Sequence, residues 1–343
     1  MMENMKKYEL TYPQKSIWIT EQFYNGTSVN HICGSAIFNE KLDFKLLEKA
    51  IRLVVSSHEN FNLKFCVDDG MPKQYLSDAQ NFDINIVDIK SKEDLNLLNQ
   101  KLISIPFSLQ DSFLFRFVIF RFPDNTGGYS LDIHHLIADA YTLGHVASCI
   151  VDAYSSLLSD QKIENGFVDS YLDFVTSEQE YISSAKFDKD ESYWNKQYEQ
   201  IPSIASIPSK SSITSISSSA AKRKEFKISA TILKRIRDFC KDFHVSLFNF
   251  FMAVYSIYIG KITNLHHFVI GTPILNRTNF KEKSCFGMFI STVPFIVNIV
   301  EDESFSEFLK KVCSDSMGML KHQKYPYQLL LEHLRKSNPT IPN

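Results

Sequence analysis

The sequence from residue 130 to residue 140 is Ser130-Leu131-Asp132-Ile133-His134-His135-Leu136-Ile137-Ala138-Asp139-Ala140. The stretch opens as a strand and ends that strand in two adjacent histidines. Neighbouring side chains of a strand point to opposite faces, so one imidazole is expected to pack inward while the other faces a cavity or solvent. Asp139 stands at the start of a helical pattern from Ala140 to Leu158, where its carboxylate is a suitable helix cap.

This stretch also carries the chemistry-bearing residue types of the chain. Histidine is the side chain best suited to holding or moving a proton near neutral pH. A His-His pair after an apolar strand is nevertheless more often packed in the core or exposed on the surface than catalytic. A lone acid at a helix start is often only a cap. The whole pattern, His134, His135, three residues and Asp139 before a small residue, is much rarer, so we take it as a hypothesis for other segments to support.

Composition limits the class of protein. The chain has 343 residues, 44% of them hydrophobic and 22% charged, with a net charge of −2, which is ordinary for a globular protein and offers no basic surface for nucleic acid. No window has the length of a membrane span, and no secretory signal is visible. We therefore expect a cytoplasmic protein with neither nucleic acid nor membrane as a partner. The six cysteines lack Cys-x-x-Cys spacing and are expected to be reduced thiols without a metal.

Strand-like and helix-like segments alternate along the chain, which predicts an α/β fold. Asp43 is a predicted helix cap, and the turn Asp124–Gly128 predicts a hairpin between the strand Phe113–Phe122 and the histidine strand. Further on, the pattern predicts a strand at Phe226–Ile228 and a buried helix at Leu247–Ile259. The serine-rich run from Ile201 to Ala221 is predicted to be a connecting loop. We place one domain at residues 1–177 and a second at residues 178–343.

The pattern of His134, His135 and Asp139 resembles the His-His-x-x-x-Asp-Gly signature of the condensation domains of nonribosomal peptide synthetases, which belong to the chloramphenicol acetyltransferase-like superfamily. Ala140 replaces the final glycine. Six further segments resemble motifs of the same family in the same order: Leu10–Trp18, Ser57–Phe65, Pro106–Arg116, Tyr171–Phe174, Phe286–Thr292 and His322–Tyr327. The segment at Ser57–Phe65 lacks both arginines of the family motif.

The resemblance implies a two-lobed chloramphenicol acetyltransferase-like fold, a V-shaped pseudo-dimer of α/β sandwiches with a tunnel between the lobes. Within the motif it implies that His135 is the catalytic candidate and that His134 is its packed neighbour. Asp139 is expected to form a salt bridge with Arg277, which ends the stretch Gly271–Arg277. Beside these residues, the tunnel and motif positions are Ala140, Phe289, Ser291 and Thr292.

The activity implied by the resemblance is amide formation between a donor acyl or peptidyl thioester and the amine of an acceptor aminoacyl thioester. Both substrates would be carried on phosphopantetheine arms of upstream and downstream peptidyl carrier domains, with no cofactor bound by the chain itself, and we expect a monomer. His135 would act as a general base, or would position the amine and stabilise the developing charge.

Three alternatives remain open. A stand-alone acyltransferase of the superfamily would use His135 to transfer an acyl group to an alcohol or amine. An epimerisation domain shares the histidine motif, although Phe286–Thr292 is closer to a condensation domain. A silent relative retained as a binding domain is compatible with Ala140 and the missing arginines. The family fold continues beyond the motif that begins near Arg335, so we expect the second lobe to be incomplete at Asn343.

Overall fold

A computed structural model of the chain describes residues 5–78, 82–161, 169–205, 207 and 224–337. Contacts divide the chain into two compact units. Unit 1 comprises Met1–Ser183 with Arg277–Ile290, and unit 2 comprises Ser184–Asn276 with Ser291–Asn343. The domain ranges 1–177 and 178–343 stay a prediction, and the contacts place residues 277–290 with unit 1. Most of the predicted connecting loop at 201–221 and the last six residues lie outside the described residues.

The described residues form strands and helices in alternation. The strands are β1 (Lys7–Glu9), β2 (His31–Phe38), β3 (Leu63–Asp68), β4 (Met71–Leu76), β5 (Ile84–Asp88), β6 (Phe115–Arg121), β7 (Gly127–His134), β8 (Ser203–Ile204), β9 (His267–Ile274) and β10 (Ser291–Asn298). The helices are α1 (Tyr12–Phe23), α2 (Phe44–Ser57), α3 (Lys92–Ile103), α4 (Ala140–Leu158), α5 (Tyr171–Ile182), α6 (Ala185–Gln197), α7 (Ala230–Asp242), α8 (Leu247–Thr263), α9 (Phe280–Ser284), α10 (Phe305–Lys321) and α11 (Tyr327–Ser337).

Unit 1 is built around the histidine strand. A four-stranded sheet has the order β2-β7-β6-β5, in which β7 is antiparallel to both neighbours and β5 is parallel to β6. The predicted β6–β7 hairpin is confirmed, and all eight residues of β7 are buried. A second sheet, β1-β4-β3, contains the strands β1 and β4, which the sequence patterns did not predict. β7 therefore delivers His134 from the centre of a packed sheet.

Side-chain caps fix where the helices of unit 1 begin. Thr11 and Gln14 form a reciprocal capping box at the start of α1. The predicted cap at Asp43 is confirmed, because its carboxylate accepts hydrogen bonds from the backbone N–H groups of Lys45 and Leu46. Asp139 caps α4 in the same way. Apolar residues of α2, α4, β6 and β7 then pack into one core.

Unit 2 contains a smaller sheet, in which β9 lies between antiparallel β10 and parallel β8. The predicted strand at Phe226–Ile228 is wrong: these residues have no regular structure, and Phe226 is 88% exposed. Three alternating residues do not form a strand unless a neighbouring strand offers free backbone groups for pairing. In this sheet, β9 is already paired on both sides, with β10 and with β8. The predicted burial of the helix at 247–259 is wrong in part, because α8 buries one face around Ala253 and Ile259 and leaves Tyr258 exposed.

No single helix in the part of the chain that the structure describes is long and apolar enough to cross a bilayer. α7 and α8 meet that criterion only as a pair, and the chain bends by 105° between them.

Candidate active site

His134 ends β7 and is packed into unit 1, with 1% of its surface exposed. Its Nδ1 accepts a hydrogen bond from the backbone N–H of Leu136 at 3.1 Å, so the proton of the neutral ring lies on Nε2. That Nε2 lies 3.4 Å from the Glu21 carboxylate. Burial lowers the pKa of His134, while the hydrogen bond to Glu21 opposes that shift. His134 is therefore a neutral, packed ring with both nitrogens engaged.

His135 follows the end of the strand and is only partly buried. Its Nδ1 lies 3.1 Å from the backbone oxygen of Ala138. A carbonyl oxygen only accepts, so Nδ1 carries the proton and the lone pair of the neutral imidazole is on Nε2. Burial lowers the pKa of His135, and the Ala138 hydrogen bond and the charge of Asp139 offset only part of that shift. At neutral pH, Nε2 is thus a ready proton acceptor.

The histidine loop, residues 135–138, is held by donors from distant parts of unit 1. The amide of Gln14 donates to the oxygen of Leu136 at 3.0 Å, and the amide of Asn60 donates to the oxygen of Ile137 at 3.1 Å. Both donors are almost completely buried. Since the third carbonyl, that of Ala138, binds the His135 ring, every carbonyl from 136 to 138 is bound by a side chain. Such a loop presents Nε2 of His135 in one geometry.

Asp139 is fully buried and its two oxygens are crowded with donors. Oδ1 accepts from the backbone N–H of Thr142 at 2.8 Å, as expected of a helix cap. Oδ2 accepts from the backbone N–H groups of Phe289 at 3.1 Å and Ile290 at 3.2 Å. The carboxylate therefore ties the start of α4 to the segment that follows α9.

Arg277 completes the environment of Asp139, so the structure brings the two predicted partners together. The guanidinium donates to both carboxylate oxygens, at 2.6 and 3.2 Å, and both side chains are 0% exposed. Its Cζ atom lies 4.1 Å from the ring centre of Phe289 and 4.6 Å from that of Tyr141. These contacts occupy the carboxylate with groups other than His135, so Asp139 acts on the histidine loop by positioning it.

The remaining predicted positions have separate surroundings. Ala140 is the first residue of α4, is exposed and does not have a positive φ, so the methyl group in place of the family glycine introduces no left-handed strain. Phe289 is fully buried, and its ring centre lies 4.3 Å from that of Phe174. Ser291 and Thr292 belong to unit 2, where they begin β10 and pair with Ile274 and Pro273.

Thr142 and Gly287 were missed by the sequence reasoning although they support the Asp139–Arg277 pair. The Thr142 hydroxyl donates to the oxygen of Gly287 at 2.9 Å and accepts from Arg277 at 3.0 Å. Gly287 has a φ of 155°, and a Cβ there would lie 2.1 Å from the Tyr171 ring. The sequence feature that could have pointed to this position is the glycine in the motif at 286–292. Its backbone lies so close to the Tyr171 ring that no side chain fits there.

No group of three or more His, Cys, Asp or Glu side chains suited to a metal ion occurs among the described residues. All six cysteines are unpaired. The site residues themselves provide a neutral imidazole on a loop held by side-chain hydrogen bonds, and a buried ion pair beside that loop.

Comparison with known proteins places this geometry in a family. The family model described as "Condensation domain" matches residues 4–341. Surfactin synthase subunit 1 of Bacillus subtilis (strain 168) is 34% identical over 343 residues, which cover 97% of this chain and 10% of that protein. The chain thus spans between 5% and 14% of the length of these curated relatives.

Solved structures show the same fold. The condensation domain from the monacolin K polyketide synthase MokA superposes with a TM-score of 0.83 at 19% identity, covering 96% of this chain and 76% of that one. A variant of the starter condensation domain of the rhizomide synthetase RzmA, solved in complex with C8-CoA, superposes with a TM-score of 0.82 at 21% identity, covering 98% of this chain and 76% of that one. The predicted fold class is confirmed by these matches, and the family model, which extends over nearly the whole chain, shows that this protein belongs to the condensation domain family of nonribosomal peptide synthetases.

Proposed function

We propose that the chain forms an amide bond between a donor acyl thioester and the amine of an acceptor aminoacyl thioester. The observation that carries this proposal is the state of His135, whose Nδ1–H is committed to Ala138 while the lone pair of Nε2 is left for a substrate proton. The lowered pKa of His135 keeps that lone pair available at neutral pH.

In the proposed reaction, the amine nitrogen of the acceptor attacks the carbonyl carbon of the donor thioester. The C–N bond forms, the C–S bond breaks, and the thiol of the donor arm leaves. The proton lost by the amine passes to Nε2 of His135 and from there to the leaving thiolate. A positioning role, in which Nε2 accepts a hydrogen bond from the amine, requires the same neutral imidazole. Both roles therefore depend on the tautomer that Ala138 selects.

The proposed partners are carrier domains that present both substrates on phosphopantetheine. The C8-CoA bound to the RzmA domain supports an acyl thioester as donor, since coenzyme A is a carrier of acyl groups. We further propose that the chain acts as a monomer in the cytoplasm, where six unpaired thiols are stable.

The direct test is incubation of the chain with a donor carrier loaded with an acyl group and an acceptor carrier loaded with an amino acid. We expect the condensed product on the acceptor carrier by mass spectrometry of the intact carriers. Product with an alcohol acceptor alone would favour the stand-alone acyltransferase. Binding of loaded carriers without product would favour the silent binding domain.

The pH dependence of kcat/KM tests the state of His135. Its logarithm is expected to fall with a slope of about one below the α-amino pKa of ~8, because the amine must be neutral to attack. The slope should steepen to about two below the pKa of His135, which burial lowers from the ordinary histidine value of ~6.5. kcat/KM thus falls about tenfold per pH unit below the pKa of the amine, and it falls more steeply once the pH drops below the lowered pKa of His135.

The His135→Ala variant is the matched control. The pH profile of its residual kcat/KM should lack the second change of slope, the one assigned to His135. Circular dichroism at each pH separates the break from acid unfolding. A second break above ~6.5 would contradict the neutral, partly buried state described for His135.

A further inference from the structure

Glu21 is a buried carboxylate that the proposed reaction has so far left unused. It lies on α1, and only 6% of its surface is exposed. A buried carboxylate is unfavourable unless donors surround it, so its partners indicate why it is there. Those partners, Asn30 and His134, both adjoin the histidine loop.

One oxygen of Glu21 serves both partners. Oε2 accepts a hydrogen bond from the amide of Asn30 at 2.6 Å and lies 3.4 Å from Nε2 of His134. Because Nδ1 of His134 accepts from the N–H of Leu136, the ring proton points from Nε2 toward this oxygen. Glu21 therefore favours the tautomer in which Nδ1 of His134 accepts a hydrogen bond from the backbone N–H of Leu136 in the histidine loop.

The second partner reaches His135 directly. The backbone oxygen of Asn30 accepts from the backbone N–H of His135 at 2.8 Å, while the Asn30 side chain is held by Glu21. Burial on its own raises the pKa of Glu21, but the hydrogen bonds from His134 and Asn30, together with the electrostatic effect of His134 and His31, lower it further than burial raises it, so the group is ionised at neutral pH. Bonds to an ionised acceptor are stronger than neutral ones, which suits a group that must hold a fixed geometry.

We propose that Glu21 is a positioning residue for the amide-forming reaction: its Oε2 holds Asn30 and His134 together and thereby fixes the backbone on both sides of His135. The proposal rests on the proposed function of His135, and it assigns Glu21 no contact with substrate. The proposed role of Glu21 differs from a role in stability alone, because the Glu21 carboxylate would determine the orientation of the His135 imidazole.

The test compares Glu21→Leu, which removes the acceptor at similar size, with Glu21→Gln, which keeps an acceptor oxygen. We expect Glu21→Leu to lower kcat about 10–100-fold, as small misplacements of a catalytic group do, with the KM for both loaded carriers within about twofold. Glu21→Gln should recover most of that loss. Should Glu21→Leu fail to fold, Asn30→Ala can replace it in the same experiment. That variant removes one of the two donors to Glu21, and we expect a smaller decrease in kcat.

Asp190→Leu is the matched control. Asp190 is likewise buried and its carboxylate lies 2.6 Å from Nδ1 of His322, but it belongs to unit 2. Its loss should lower stability and leave kcat near that of the unaltered chain. An unchanged kcat in Glu21→Leu, or an equal loss of kcat in Asp190→Leu, would overturn the proposal.

A second measurement does not depend on activity. In chains labelled with ¹⁵N-histidine, ring nitrogen shifts report the tautomers of His134 and His135. We expect Glu21→Leu to shift both sets of signals and Asp190→Leu to shift neither. If no chain forms amide while these shifts occur, the proposed function fails and the positioning link stands. If the shifts are absent, the positioning link fails whatever the activity.

Discussion

Replacing His135 with alanine is expected to lower kcat for amide formation by about 10²–10⁴-fold, the usual contribution of a positioned general acid or base. The variant removes the Nε2 lone pair, which is the proton acceptor in either role proposed for His135. The fold should persist because the side chain is only partly buried and the one ring hydrogen bond, to Ala138, is worth ~0.5–1.5 kcal/mol.

The chain contains a control for this experiment in a second His-His pair, His266 and His267. No aspartate follows that pair at the spacing of Asp139, and His266 is exposed immediately before β9 in unit 2. His266→Ala should therefore keep full turnover with loaded carriers. Turnover by His135→Ala equal to that of His266→Ala would remove His135 from the mechanism.

His134→Ala is expected to act differently, since its ring is fully packed. Its loss leaves the N–H of Leu136 without its acceptor and removes one of the two donors described for Glu21, so thermal stability should fall along with turnover. The contrast between the two variants, one stable with little activity and the other unstable, distinguishes the partly buried His135 from the fully packed His134.

The features that were predictable from the sequence are those set by neighbouring residues. A strand running into two histidines, an aspartate at the next helix start and the turn at Asp124–Gly128 are all local, and the structure has the hairpin and the cap where the pattern put them. The polar strand β4 was missed because Met71–Leu76 lacks the alternation by which strands are read. Phe226–Ile228 had the alternation but no partner strand.

The donors that fix the histidine loop were beyond prediction for a different reason. Gln14 lies 122 residues from Leu136, and Asn60 lies 77 residues from Ile137. Nothing local marks either amide as a loop donor, because the partner is a backbone carbonyl that any residue carries. The Arg277 partner of Asp139 is 138 residues away and was expected only through the resemblance to condensation domains.

Replacing Asp139 with alanine is expected to lower the free energy of unfolding of unit 1 by ~3–5 kcal/mol, the usual result of removing one partner of a buried ion pair. Arg277 would keep its charge inside the protein with no carboxylate to bind, and its position against the rings of Phe289 and Tyr141 hinders an escape to solvent. The N–H groups of Phe289 and Ile290 would lose their acceptor as well.

The measurement must separate the two units, since a chain with two compact units need not unfold in one step. Trp18 lies in unit 1 and Trp194 in unit 2, and these are the two tryptophans of the chain. In a Trp194→Phe background, urea titration followed by tryptophan fluorescence therefore reports unit 1. The double variant Asp139→Ala with Arg277→Ala should lose less than the sum of the single losses, because no unpaired charge remains.

The exposed pair of Arg121 and Asp88 supplies the matched control. It has the same two-pronged geometry, with distances of 2.6 and 3.1 Å, but its side chains are 42% and 71% exposed. Water replaces the lost partner at such a site, so Asp88→Ala should leave the urea midpoint almost unchanged. Similar midpoints for Asp88→Ala and Asp139→Ala would mean that Arg277 finds water or another partner when Asp139 is gone, and that the start of α4 and the histidine loop are held by other contacts.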